Sequence, residues 1–194
     1  DDLLLPNNQD ELINKIVEAN KNTIVILTSG SPVLMDKWID KVPAVLQTWF
    51  AGQEIGNAVA DILFGFANPS GKLTISYPVR WEDCSAFDTY KKESGITEYN
   101  DGIYVGYRHF DKKGIKPLFP FGYGLSYTTF KYSDFVINEN QDNFEVTFNI
   151  ENTGAFDGKE IVQLYISPID SKIDRPVKEL KGFVKVPLKI KEKK

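Results

Sequence analysis

The feature that most constrains this chain is a change of apolar period near Tyr127. Upstream, Thr23-Ile24-Val25-Ile26-Leu27-Thr28 is a short, nearly continuous β-branched run, and a run of that kind predicts a strand buried on both faces, as in parallel sheets. Downstream, Phe144-Glu145-Val146-Thr147-Phe148-Asn149-Ile150 alternates strictly, which predicts a half-buried antiparallel strand. One chain carrying both patterns predicts two kinds of layer.

The upstream part fills in as strands and helices. Asn7-Asn8-Gln9-Asp10-Glu11 offers capping side chains and first-turn acids, and Leu12, Ile13, Ile16 and Val17 then share one helical face. A helical turn or two is expected within Val33–Asp40, a second strand over Ala44–Trp49, and a second helix over Glu54–Phe64 with Ile55, Val59, Ile62 and Leu63 as its inner stripe. Asn68-Pro69-Ser70-Gly71 makes a turn into a third strand candidate, Leu73–Ser76. Strand, helix and strand in that order predict a right-handed crossover with helices over a mostly parallel sheet. Beyond Tyr127, strands are expected at Thr128–Ile137, Phe144–Ile150, Glu160–Ile166 and Leu180–Val186.

Between these parts the period dissolves into Trp81, Phe87, Tyr99, Tyr104, Tyr107, Phe110, Phe119, Phe121 and Tyr123 with interspersed glycines and prolines. That is too apolar for a disordered linker. The expected organisation is an α/β part over residues 1–78, an aromatic bridge packed between domains over 79–126, and a β-part over 127–194. An immunoglobulin-like sandwich takes about 100 residues and about seven strands, so four strand candidates describe an incomplete one. The upstream sheet, with about three strands, would leave an open edge. The chain therefore reads as a fragment, or as one completed by another chain, with homo-oligomerisation as one route.

Charge and composition remove several function classes. The net charge is −4, with 23 basic and 27 acidic residues spread along the chain, so no basic field addresses nucleic acid or an anionic membrane. The cluster Lys189, Lys191, Lys193 and Lys194 reads as a frayed, solvated terminus. Cys84 is the single cysteine, which excludes an internal disulfide and a multi-cysteine metal site. No apolar run approaches the roughly 20 residues of a membrane span, and Asp1-Asp2-Leu3 is not the basic start of a leader. No cofactor and no metal are expected, and no cellular address is written in this segment. Asn68-Pro69-Ser70 is no glycosylation acceptor, because proline occupies its middle position.

A series of motifs runs in order along nearly the whole chain. Leu5-Pro6-Asn7-Asn8-Gln9-Asp10-Glu11-Leu12-Ile13, Gly30-Ser31-Pro32-Val33, Trp49-Phe50-Ala51-Gly52-Gln53-Glu54-Ile55-Gly56-Asn57-Ala58 and Ala60-Asp61-Ile62-Leu63-Phe64-Gly65, with Asn68-Pro69-Ser70-Gly71-Lys72-Leu73, resemble the α/β sandwich domain of family 3 glycoside hydrolases of the β-glucosidase type. Asp101-Gly102-Ile103-Tyr104-Val105-Gly106-Tyr107-Arg108 and Pro117–Phe130 resemble that family's bridge into a fibronectin type III-like domain. Asn152-Thr153-Gly154, Asp157-Gly158, Val162-Gln163-Leu164-Tyr165 and Arg175–Phe183 continue it. The resemblance implies a partial three-layer α/β sandwich followed by a partial fibronectin type III-like sandwich. It also implies a retaining, exo-acting glycosidase for terminal β-linked glucose, with a β-glucoside or oligosaccharide bound through a barrel domain. Such chemistry needs two carboxyl groups about 5 to 5.5 Å apart. In the family the nucleophile is an aspartate of the preceding barrel and the acid/base is a glutamate whose position falls upstream of Asp1. Neither maps onto a residue here, so the chain alone is expected to be inactive. A β-xylosidase of the same family, or a non-catalytic carbohydrate-binding or structural module, are the rival readings.

Glu54, after Gly52-Gln53 at a helix start, and Asp101, in the bridge with Glu98, are the acids to examine for substrate contact. A first-turn acid in the field of the helix dipole explains Glu54 equally well. His109 is the only histidine, and no serine stands in a G-x-S-x-G context, so it reads as structural. Trp38, Trp49 and Trp81 read as packing residues rather than sugar platforms. Gly122-Tyr123-Gly124 lacks the third glycine and the strand-to-helix setting of a dinucleotide loop.

Overall fold

The computed structural model describes residues 3–90, 95–141 and 143–194. The Asp1-Asp2 start and residues 91–94 of the expected bridge lie outside the described residues. Two compact units emerge. The first comprises Asp1–Val59, Leu73–Tyr123 and Tyr165–Glu179, and the second Ala60–Lys72, Gly124–Leu164 and Leu180–Lys194.

In the first unit, α1 (Gln9–Ala19) is followed by β1 (Ile24–Leu27) and β2 (Ala44–Gln47), paired in parallel with Ile24 opposite Ala44 and Leu27 opposite Gln47. The core gathers Val25, Leu27, Val33, Met35, Trp38 and Tyr77, with Ile13, Val45, Leu73 and Phe119 packed against it. Two expectations change here. Only one face of β1 is covered, because Ile24 and Ile26 remain 50% and 41% exposed. The N-cap of α1 is Asn8 without a side-chain cap, because its left-handed φ 56° is not the extended conformation from which an Asn side chain reaches the first-turn N–H groups; its carbonyl accepts from Glu11 and Leu12. Of its apolar face, Val17 is buried and Ile13 packs inward, while Leu12 and Ile16 stay half exposed. The turn or two expected within Val33–Asp40 appears as a 3-10 turn, Ile39–Lys41.

The third parallel strand does not form. Residues 73–77 pair antiparallel with the 118–123 stretch instead: Leu73 N–H donates to the Tyr123 carbonyl (2.7 Å), Gly122 to Leu73 (2.7 Å), Tyr77 to Phe119 (2.8 Å) and Leu118 to Tyr77 (2.8 Å). Pro78, Pro117 and Pro120 lack amide donors and interrupt that ladder before it becomes a regular strand pair. The parallel sheet is therefore two-stranded. The bridge also contains an unexpected helix, α3 (Tyr107–Lys113), ended by Gly114 at φ 63°.

α2 (Ile55–Leu63) begins in the first unit and ends in the second; of its expected stripe, Ile55, Val59 and Ile62 are half-buried while Leu63 is exposed, and none of its residues is fully buried. The second unit holds most of four antiparallel strands: β3 (Phe130–Glu139), β4 (Phe144–Asn152), β5 (Gly158–Ile166) and β6 (Glu179–Leu188). They pair as β3-β4 and β5-β6, and β3 bulges between Ser133 and Val136 where Asp134 takes φ 56°. The alternation of β4 is realised from Val146 on, with Val146 and Phe148 partly and Ile150 fully buried, whereas Phe144 at the strand's start is exposed. The lysine-rich end is not frayed. Ile150 and Lys194 exchange N–H to carbonyl bonds at 2.8 and 2.9 Å, and Lys189, Lys193 and Lys194 pair with Asp157, Asp134 and Glu192. The combination of an α/β part with an antiparallel β part matches the expected fold class, although the parallel sheet is smaller.

Candidate functional site

Each sequence-flagged side chain has a definite local setting. Glu54 stands exposed immediately before α2, accepts a hydrogen bond from Asn57 Nδ2 at 2.6 Å, and lends its carbonyl to Ala58 N–H. It caps the helix through its backbone and steadies Asn57 through its carboxylate. Asp101 opens the turn in which Tyr104 N–H donates to the Asp101 carbonyl at 2.9 Å, and Glu98 accepts from Asn100 Nδ2 at 3.3 Å. Glu54 and Asp101 share no hydrogen-bond partner among the described residues.

His109 Nε2 lies 3.1 Å from the Asp83 carbonyl. A carbonyl only accepts, so Nε2 carries the hydrogen, and the ring meets Phe110 edge-on. Asp83 in turn accepts from Arg80 Nη2 at 2.8 Å and from the Arg80 backbone at 3.1 Å, and these bonds hold its carboxyl below the usual carboxylate range. Burial, then the neighbouring Asp83 and Glu82, push the Cys84 thiol up to about 11, which removes it as a nucleophile near neutral pH. Trp38 is 1% exposed and donates its indole N–H to Asp10 at 3.0 Å. Trp49 packs on Tyr77 with centroids 6.4 Å apart, and Trp81 meets Phe87 and Tyr90 edge-on. All three serve packing, as their places at element ends suggested.

Sequence reasoning missed the residues that organise the second unit. Asn152 is fully buried; it accepts from the Thr128 hydroxyl (2.6 Å) and Gly154 N–H (3.1 Å) and donates to the carbonyls of Phe156 (2.8 Å) and Leu188 (3.3 Å). Gly154 beside it has no room for a Cβ, which would sit 2.2 Å from Thr128 Oγ1 and 2.7 Å from Thr129 N. Asn68 donates to the Asp157 carbonyl (3.0 Å) and accepts from Ser126 Oγ and Tyr127 N (both 2.9 Å). Lys72 pairs with Glu160 at 3.3 Å and donates to the Gly124 carbonyl at 2.7 Å, and a Cβ on Gly124 would lie 2.4 Å from the Gly71 carbonyl oxygen. The Asn-Thr-Gly and Asn-Pro-Ser-Gly-Lys motifs were the available signals, but their partners are remote in sequence.

Among the described residues no group of three histidine, cysteine, aspartate or glutamate side chains forms a metal site, and no helix is long and apolar enough to cross a membrane. What the geometry defines is an α/β unit with an antiparallel β unit, whose conspicuous polar residues brace the fold. The chain belongs to glycosyl hydrolase family 3: residues 1–127 match the family's C-terminal domain and residues 160–194 a fibronectin type III-like domain. It is 47% identical over 194 residues to thermostable beta-glucosidase B of Acetivibrio thermocellus, covering 98% of this chain and 26% of that protein. The crystal structure of beta-glucosidase from Kluyveromyces marxianus in complex with glucose superposes with a TM-score of 0.95 at 43% identity, over 100% of this chain and 23% of that one. Beta-glucosidase 3B from Thermotoga neapolitana gives 0.93 at 41% identity, over 99% and 28%. The chain thus spans about a quarter of the length of these relatives.

Proposed function

We propose that this chain is the C-terminal scaffold portion of a retaining, exo-acting β-glucosidase that removes terminal β-linked glucose, and that it carries neither catalytic carboxylate. The observation that supports the reading is the coincidence of high identity with near-complete structural superposition on proteins named beta-glucosidases. The settings of two acids agree with it, since retaining hydrolysis needs two carboxyls placed across a sugar, and the Asp83 carboxylate is committed to Arg80 and the Glu54 carboxylate to Asn57. Glu54 and Asp101 stay the candidate acids for substrate contact, and neither is assigned a role in it.

An aryl β-glucoside assay tests this directly. The chain alone is expected to give no turnover above the uncatalysed rate, and the same chain following a barrel that carries an aspartate nucleophile is expected to be active. Turnover by the chain alone would overturn the assignment. In the active protein, a preference for aryl β-xyloside would move it to the xylosidase reading.

A further inference from the structure

The connection between β5 and β6 lies against α3, and the way it is held is unusual. Arg108, Asp111 and Lys112 share one face of α3 at helical spacing. They meet Glu179 (Arg108 Nη2 to Oε1, 3.0 Å), Lys178 (Nζ to Asp111 Oδ2, 3.5 Å) and Asp174, which accepts a hydrogen bond from Lys112. The signs alternate on both sides, so a slip in register opposes like charges. Apolar contact is confined to the two ends of the segment, where Tyr165 meets Tyr107 of α3 edge-on with centroids 6.0 Å apart and Pro176 is buried; between them Ile169 and Ile173, and beside Pro176 Val177, remain 90%, 64% and 51% exposed. Lys112 also lies 4.8 Å from the Tyr104 ring centroid and donates to its hydroxyl at 3.3 Å. Tyr104 closes the turn that begins at Asp101.

We propose that residues 165–179 form an ionic strap on α3, and that through Lys112 and Tyr104 the strap holds the Asp101–Tyr104 turn in place. Asp174 and Lys112 are positioning residues in this scheme. The Lys112–Asp174 pair is exposed and the other two are partly buried; pairs this near the surface are individually weak and screened by salt, so the strap opens under mild conditions that leave the apolar core intact. Opening releases the turn with it. The inference is independent of which sugar, if any, the turn meets.

Hydrogen exchange read by mass spectrometry on the full chain tests it. Asp174→Asn is expected to raise exchange of the 101–105 and 170–175 amides together, by about fivefold, the size an exposed pair supports, while α1 and β1 stay unchanged. Raising salt from about 0.05 M to about 0.5 M is expected to do the same to the wild type, and in the variant to loosen 170–175 further through the two remaining pairs while adding little at 101–105. The swap Lys112→Glu with Asp174→Lys is expected to restore protection at 170–175 but not at 101–105, because a glutamate at 112 supplies no cation to the Tyr104 ring. In Asp174→Asn at low salt, loosening of 170–175 without 101–105 overturns the coupling, and a uniform rise that includes α1 overturns the strap.

Discussion

At the scale of single residues, burial decides which polar groups matter. Asn152 makes four hydrogen bonds from a site without solvent, and its loss strands the Thr128 hydroxyl and the Leu188 carbonyl as well as opening space. Asn152→Ala is expected to destabilise the chain by about 3 kcal/mol, because buried groups left without partners cost more than the bonds themselves are worth. Chemical denaturation measures it, and a change below about 1 kcal/mol would show that the hub is dispensable. Tyr77 presents the opposite case. Its hydroxyl is buried without a well-formed hydrogen bond, and burial, opposed in part by the Ser29 hydroxyl, pushes the phenol up to about 12. Core volume holds Tyr77, while its polarity contributes little.

Elements in this chain form for local reasons but end where tertiary contacts allow. α3 is short, and seven residues do not sustain a helix in isolation. Its end is well built: Ile115 N–H returns to the Phe110 carbonyl at 2.9 Å, Gly114 supplies the left-handed residue, and Lys112 and Lys113 face the negative end of the helix. Gly114→Ala is expected to cost about 1 kcal/mol, read as a lower Tm, since a Cβ is strained at φ 63° even though nothing crowds it. β1 was legible as a strand from its β-branched run, but its burial was not. A continuous apolar run states that a strand tolerates cover on both faces, and only the fold says whether cover is supplied.

For the whole molecule, exposed apolar side chains are the dominant surface feature. Ile24, Ile26 and Phe50 in the first unit and Phe64 and Phe66 in the second are between 41% and 82% exposed. The folded chain is expected to bind a hydrophobic dye such as ANS while its near-ultraviolet dichroism shows fixed packing; dye binding that appears only on unfolding would contradict the exposure. By itself the sequence determined the combination of an α/β part with antiparallel strands, the strands β1 to β6 to within a few residues, both long helices and the family resemblance. These follow from period, punctuation and motif, all of which act over short stretches. Tertiary structure alone decided that residues 73–77 pair with 118–123 instead of joining the parallel sheet, that α3 exists, that the lysine-rich end is hydrogen-bonded to β4, and that Asn68 and Asn152 are hubs. In each case the partner lies tens of residues away, and no local pattern encodes which distant backbone or carboxylate will meet it.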